Sequence, residues 1–364
     1  MSGEEGVSAA RDHVFPPIRS DWNALPLHAL FDLLARDDAE HAVERALAED
    51  LGRSDAGLEG DVTSSATIAP DVRGRARMES RADGVLCGMP VVEMVARRAG
   101  LKLTAHREDG ARLVRGTRIA TFEGPLALLL AYERTMLNFA TLLSGNATIA
   151  ARFVDETRGT RATICDTRKT LPGLRTLQKY ATRCGGATLH RIGLFDAVLL
   201  KDNHLESFSG DDLAERVRAA ASCARAKRTI AFVECEVDSL DQLDRLLTLE
   251  SGVLDMILLD NMDPAMLAEA VRRRDARAPH ILLEASGGVR LDTVRRIALS
   301  GVDRISVGAI THSAPALDLG LDLEYADKHL DKHFDKHFDK HFDKHAGKHD
   351  PQDAGGASRP EATR

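Results

Sequence analysis

From residue 160 onward the chain repeats one unit, a short apolar run followed by an amphipathic segment with helical spacing. The apolar runs fall at 162–165, 197–200, 229–233, 256–259, 281–283 and 304–307. The amphipathic segments fall at 174–183, 213–225, 240–247, 264–273 and 291–299. A chain that leaves a strand through a helix returns to the same end of the sheet, so strands spaced in this way run parallel. Met256-Ile257-Leu258-Leu259 has no polar alternation, which predicts strands covered on both faces. The repeat predicts an α/β fold and leaves two closures open, a barrel or an open doubly wound sheet.

The first part of the chain has a different rhythm. Helical patterns occupy 26–36 and 39–51, and strand-like patterns occupy 75–81, 101–106 and 117–122 with a helix at 91–98 between them. A long helix over 126–143 leads out of this α/β region. The strictly alternating segment 317–323 (LDLGLDL) follows the last repeat unit and predicts an extra strand that rejoins the first domain. The expected organisation is an arm over 1–24, an N-terminal α/β sandwich over 25–145 plus 317–325, a parallel α/β layer over 146–316, and a low-complexity tail over 326–364. In that tail His329, His333, His337, His341 and His345 recur every fourth residue. A four-residue period drifts around a helix, so it makes no straight metal-binding stripe.

Composition narrows the partners. A net charge of -7 disfavours a general nucleic-acid binder. The apolar stretch 126–132 ends at Glu133-Arg134, short of the roughly 20 residues a membrane helix needs. No apolar leader precedes the first helix. The five cysteines, Cys87, Cys165, Cys184, Cys223 and Cys235, are odd in number and never in CxxC spacing, as expected for thiols in a reducing compartment. The expectation is a cytoplasmic protein with no membrane and no nucleic-acid partner.

The chemistry follows the apolar runs. Asp166-Thr167-Arg168-Lys169, Lys201-Asp202-Asn203-His204, Glu234-Cys235-Glu236, Asp260-Asn261, Glu284-Ala285-Ser286-Gly287-Gly288 and Gly308-Ala309 each stand directly after one. In a parallel barrel these ends share one face, where active sites lie. Arg168, Lys169, His190, Arg191 and Lys201 form a cationic set inside an acidic chain, which points to an anionic small substrate. Arginine forks suit carboxylates. Glu236 and Asp260 suit sugar hydroxyls or Mg²⁺. The glycines at 287, 288 and 308 let backbone N–H groups approach a phosphate. Other readings remain open for single residues. Lys201 also suits a Schiff base, and Glu133-Arg134 also suits a surface ion pair. Asn138 is expected as a buried structural amide, and Glu49, Asp50 and Asp61 as helix-end and turn residues.

Residues 167–204, TRKTLPGLRTLQKYATRCGGATLHRIGLFDAVLLKDNH, resemble the core signature of quinolinate phosphoribosyltransferases. The similarity continues at 49–64, 133–148, 233–243, 258–262, 284–289 and 301–323, in order. It implies an N-terminal α/β sandwich followed by an incomplete, partly open α/β barrel, and a homodimer with shared active sites. It also implies transfer of phosphoribosyl from phosphoribosyl pyrophosphate to quinolinate with loss of CO₂ and with Mg²⁺, in NAD biosynthesis. Position by position it implies a quinolinate group of Arg134 from the partner chain, Arg168, His190 and Arg191, beside Thr167. Lys169 and Lys201 line the meeting point of the substrates. Glu236 and Asp260 fall on the ribose and Mg²⁺ side, and Ser286-Gly287-Gly288 and Gly308-Ala309-Ile310 form the phosphate loops. In this scheme His190 is a binder rather than a proton shuttle. Two positions depart from the family pattern: Ala187 stands where glycine is usual and Leu189 where asparagine is usual, both beside the substrate loop. A different pyridine acceptor such as nicotinate, or a non-catalytic binding relative, are the alternatives.

Overall fold

The structure, a computed structural model, describes residues 22–205 and 212–326. The arm over 1–21 and the His-rich tail from 327 lie outside the described residues. The described chain opens with a 3-10 turn at Trp22–Ala24, followed by α1 (Leu27–Leu30), a π-helical segment at Phe31–Ala35, and α2 (Arg36–Leu51). This is one helical run where the sequence suggested two helices, because Asp37-Asp38 supplies no glycine or proline to break it. The π turn re-aims the face so that Phe31, Leu34 and Ala35 are all buried. Trp22 is also buried, which corrects the expectation of a loose arm through residue 24.

Asp61 caps α3 (Val62–Thr67) by accepting from the backbone N–H groups of Thr63 and Ser64 at 3.0 Å each. Then come β1 (Arg73–Ser80), β2 (Gly84–Val85), α4 (Met89–Arg98), β3 (Lys102–Ala105), β4 (Arg112–Leu113) and β5 (Arg118–Pro125). β1 pairs antiparallel with β5, and β5 with β3.

The helix expected over 126–143 continues to Glu156 as α5 (Leu126–Glu156). Its first half packs in the core of the N-terminal sheet, and Ala150 and Phe153 pack in the core of the second domain. By length and hydropathy α5 is apolar enough to cross a bilayer, but 61% of its most apolar 18-residue window is buried inside the protein. Its composition is that of a spine shared by two cores.

The repeat units follow in order: β6 (Thr163–Cys165), α6 (Arg175–Cys184), β7 (Val198–Leu200), α7 (Asp202–Leu205), α8 (Leu213–Lys227), β8 (Val233–Val237), α9 (Leu240–Leu246), β9 (Met256–Asp260), α10 (Pro264–Arg277), β10 (Leu282–Ser286), α11 (Leu291–Ala298), β11 (Arg304–Ser306), α12 (Ala309–His312) and β12 (Leu319–Ala326). Six of the strands form a parallel sheet in the order β6-β11-β10-β9-β8-β7. First strand beside last, then back down to the second, is a ring opened at one seam, between β6 and β7. The fold is therefore a partly open barrel rather than a doubly wound sheet. Residues 188–190 cover part of the seam: Thr188 donates to Ile164 O at 2.8 Å, and Asp166 N donates to Thr188 O at 3.2 Å.

Two strands differ from the sequence reading. The run at 229–233 precedes the strand, which is Val233–Val237, and the run at 281–283 lies in a strand that extends to Ser286. Both strands alternate: Val233, Cys235, Val237, Leu283 and Ala285 face the helices in the apolar core, while Glu234, Glu236 and Glu284 alternate with them. The charged residues that appeared to end these strands are part of them. β12 returns to the first domain as expected, pairing antiparallel with β1 so that Leu319 faces Ser80, Leu321 faces Met78 and Leu323 faces Ala76.

Candidate active site

The carboxyl ends of the barrel strands carry most of the residues singled out above. After β6 the chain turns through Thr167, whose hydroxyl accepts from Lys169 N at 3.0 Å. This turn presents Arg168 and the exposed Lys169. Arg168 Nε is buried with no hydrogen-bond partner, and burial followed by the nearby Arg175 charge lowers its pKa. Arg191 is also pushed down, first by burial and then by Arg168. Neither Arg168 nor Arg191 forms an ion pair with a carboxylate among the described residues. Cations that repel one another in a partly dry place form a site for an anion. Arg175, the third member, was missed from sequence because it lies on α6, away from any strand end.

At the other edge of the seam, Lys201 at the end of β7 pairs with Glu236 of the neighbouring β8. Asp260, at the end of β9, accepts from the Asn261 amide at 2.7 Å. Its register partner is Ser286, and Ser286 O accepts from Asn261 N at 2.9 Å. Gly287 follows at φ +98°, where a β-carbon would lie 2.1 Å from Asn261 Oδ1, so only glycine fits there. The last turn, Gly308-Ala309-Ile310, opens α12. A β-carbon on Gly308 would meet Lys169 Cδ at 3.3 Å, so the Lys169 stem lies along this turn. Two buried amides fix the turn from below: Asn146 of α5 donates to Ile310 O at 2.6 Å, and Gln178 of α6 donates to Thr311 O at 2.6 Å. The Thr311 hydroxyl closes it by donating to Lys169 O at 2.7 Å.

Beneath the rim lies a group that sequence reading did not assemble. His190 Nε2 is 2.9 Å from Glu234 Oε2 and 3.4 Å from Glu284 Oε1, and Arg304 Nε donates to Glu284 Oε2 at 2.8 Å. Both glutamates are fully buried and His190 is 8% exposed. Two carboxylates against one guanidinium leave the cluster one positive charge short, so it retains a proton. Burial opposes charge on His190, but Glu284 and Glu234 outweigh it and raise its pKa to about 10. Burial and the neighbouring Glu284 raise Glu234, whereas His190 and Arg304 overcome burial to hold Glu284 well below the carboxylate range. His190 Nδ1 lies 2.8 Å from Arg191 N. Glu234 and Glu284 were visible in sequence as charges after apolar runs. The alternation Val233-Glu234-Cys235-Glu236-Val237 was the signal that Glu234 lies within a strand.

Several expectations change. Arg134 is exposed on α5, and no hydrogen bond or ion pair joins it to Arg168 or Lys201 among the described residues. Asn138 is exposed too, and the buried structural amide of α5 is Asn146. Asp50 accepts from the Thr135 hydroxyl at 3.3 Å, a structural role as expected. The side chains of Ala187 and Leu189 are both buried, and the Asn23 amide holds the Leu189 backbone at N and O, at 2.7 and 3.1 Å. Cys87, Cys165, Cys184 and Cys235 are buried free thiols, and Cys223 is an exposed one.

A parallel barrel that carries arginines without carboxylate partners, an acid pair and two glycine turns has the layout of an enzyme for small anionic substrates. Residues 61–144 match the N-terminal domain, and residues 146–322 the C-terminal domain, of the quinolinate phosphoribosyl transferase family, and the chain belongs to that family. It is 45% identical over 292 residues to the nicotinate-nucleotide pyrophosphorylase [carboxylating] of Mycobacterium leprae, covering 79% of this chain and 98% of that one. It is 37% identical over 283 residues to a probable enzyme of that name from Methanothermobacter thermautotrophicus, covering 76% and 98%. Among solved structures it resembles the nicotinate-nucleotide pyrophosphorylase of Francisella tularensis, with TM-score 0.70, 33% identity, and coverage of 83% of this chain and 98% of that one.

Proposed function

We infer that this chain transfers the phosphoribosyl group of phosphoribosyl pyrophosphate to quinolinate with decarboxylation, giving nicotinate mononucleotide, pyrophosphate and CO₂ in NAD biosynthesis. The observation that carries the substrate choice is the group of Arg168, Arg175 and Arg191, which repel one another and form no ion pair with a carboxylate among the described residues, more cationic than one carboxylate requires. Arg168 and Arg191 grip the dicarboxylate in this reading, and Arg134 reaches the same pocket from the partner chain of a homodimer. Its exposure on α5 supports that role. Lys169 and Lys201 stand where the two substrates meet. The turns Ser286-Gly287-Gly288 and Gly308-Ala309-Ile310 hold phosphate oxygens.

As pyrophosphate leaves, C1 of the ribose gains positive character, and Glu236 and Asp260 hold the sugar and offset that charge. The arginines aim the pyridine nitrogen at C1, a proximity effect. Once that nitrogen is alkylated, the pyridinium ring stabilises the carbanion left when CO₂ departs from C2. The oxygen donors of Glu236 and Asp260, on adjacent strands, fit Mg²⁺, which prefers one or two carboxylates plus substrate phosphates. Held there, Mg²⁺ would supply positive charge to the pyrophosphate leaving group. The reducing, cytoplasmic setting is supported by the free thiols.

The test supplies full-length protein with phosphoribosyl pyrophosphate, Mg²⁺ and either quinolinate or nicotinate, and measures mononucleotide and CO₂. We expect equal amounts of both products from quinolinate and negligible turnover of nicotinate, whose missing carboxylate leaves half-buried cations unpaired. Equal use of nicotinate overturns the substrate assignment, and no product from either acceptor leaves a binding protein.

A further inference from the structure

α6 belongs to the barrel repeat, yet its Leu177, Tyr180, Ala181 and Cys184 are buried in the core of the N-terminal domain. This face of α6 fastens the barrel to the first domain. Two thiols and a carboxylate meet on it. The sulfurs of Cys87 and Cys184 and an Asp109 carboxylate oxygen lie within 4.8 Å of one another. Cys87 stands between β2 and α4, and Cys184 ends α6, so the two sulfurs come from different domains. The thiols are in hydrogen-bonding contact. Burial first, then Cys184 and Asp109, push the Cys87 thiol up, which keeps it protonated and slow to react at rest.

Two sulfurs and a carboxylate also suggest a metal site, but here the carboxylate is committed. Asp109 Oδ1 accepts from Met89 N at 3.0 Å, and Oδ2 accepts from Gly88 N and from the Tyr180 hydroxyl at 2.9 Å each. These bonds cap α4 and dock α6, and an ion would have to break them. Without Asp109 the two thiols fall short of the four ligands of a structural zinc site. What remains is a pair of adjacent thiols with a route to solvent. A cavity of about 570 Å³ has Asp109 and Tyr180 in its wall, with Leu27 and Met89. Cys184 O lies 3.6 Å, and Leu27 Cδ1 3.2 Å, from where a β-carbon on Gly110 would stand, which sets the end of α6 beside that cavity. Cys184 keeps 6% exposure and Cys87 has none, so Cys184 is the thiol that meets a small oxidant.

We propose that Cys87 and Cys184 are a redox-sensitive pair, closed to a disulfide by a hydroperoxide, which clamps α6 to the first domain. The Cys184 sulfur attacks one oxygen of hydrogen peroxide, the O–O bond breaks, and Cys184 sulfenic acid and water result. The Cys87 sulfur then attacks the Cys184 sulfur. The S–O bond breaks, and the departing hydroxide takes the Cys87 proton to become water. Two thiols lose two electrons and two protons, and the peroxide ends as two waters. Ser144 Oγ holds Cys87 at both N and O, at 2.9 and 3.1 Å, so the movement needed for closure falls on Cys184. The bond closes a loop of about 100 residues, which restrains the unfolded chain strongly.

The test treats the full chain with hydrogen peroxide, alkylates the remaining thiols after unfolding, and maps the peptides by mass spectrometry without reductant. We expect the peptides of Cys87 and Cys184 joined in most chains, and both thiols recovered with dithiothreitol. The exposed Cys223 reports that the oxidant acted. Oxidised Cys223 beside free Cys87 and Cys184 overturns the proposal. So does Cys184 carried on to sulfinic acid with Cys87 still free. One zinc per chain in the untreated protein, lost in Cys87→Ser, makes this a metal site and also overturns it. The clamp is read in a Cys223→Ser background, which removes cross-linking between chains. Peroxide should raise the thermal midpoint by about 5 °C there, and Cys184→Ser should abolish the rise. An unchanged or lowered midpoint in protein shown to carry the bond disproves the clamp. Should Cys184→Ser not fold, Cys184→Ala replaces it, and the peptide map of the unsubstituted chain depends on neither.

Discussion

At the residue scale, the geometry of the site depends on a few contacts that admit no substitute. Gly287 is one, since its φ of +98° and the Asn261 side chain together exclude a β-carbon. Asn261 is itself left-handed at φ +54°, a conformation asparagine tolerates better than most residues. Gly287→Ala should therefore displace the Asp260-Asn261 turn and lower kcat/KM for phosphoribosyl pyrophosphate by about tenfold or more, with the fold retained by circular dichroism. Wild-type kinetics in this variant would show the turn to be dispensable. The His190 cluster gives a pH prediction. The folded protein holds the His190 proton more tightly than an unfolded chain does, so the resulting stability is fully present below about pH 6.5 and is lost as pH rises towards about 10. The thermal midpoint of the wild type should fall between pH 7 and 10 more steeply than that of Glu284→Gln, which has one buried carboxylate fewer. Parallel declines would mean that other groups set the slope.

At the element scale, β12 ties the two ends of the chain together. It lies on the edge of the N-terminal sheet against β1, and Leu317 and Leu319 are buried. Ending the chain after residue 316 uncovers that edge and removes these side chains from the core, at about 1.5–3 kcal/mol for each fully buried leucine. Deleting 328–364 removes nothing that pairs with β1, because β12 ends at Ala326. We expect the shorter deletion to keep the wild-type melting temperature and turnover, and the longer one to lower both or to aggregate through the bared strand. A loss of turnover on deleting only 328–364 would give the tail a function. α5 illustrates the same economy of elements: one helix supplies apolar surface to both cores and the buried Asn146 that steadies the Gly308 turn.

At the scale of the whole molecule, the open question is how Arg134 reaches a substrate pocket. In its own chain it is exposed on α5. The shared-site reading predicts complementation. Arg134→Ala and Lys201→Ala should each be nearly inactive alone. After subunit exchange, each mixed dimer has one site with both lesions and one with neither. Half the dimers of a random mixture are mixed, so activity should recover to about a quarter of wild type. If mass spectrometry shows exchange and activity stays absent, Arg134 acts within its own chain or not at all.

The sequence by itself determined the parallel α/β repeat, the return of the 317–323 segment to the first domain, and the clustering of Arg168, Lys169, Lys201, Glu236 and Asp260 at strand ends. Each of these depends on local periodicity or on position after an apolar run, which a linear reading can register. The tertiary structure decided what depends on closure. It chose a barrel opened at the β6–β7 seam, because strand order is a matter of which edges meet. It turned Glu234 and Glu284 inward to His190, because a barrel interior accepts polar residues wherever a partner comes from another strand. It placed Arg175 beside Arg168 and Arg191 and left Arg134 exposed, because the facing of a helix is set by what packs against it. A one-dimensional pattern records which residues are apolar; only packing decides which polar residues come to face one another.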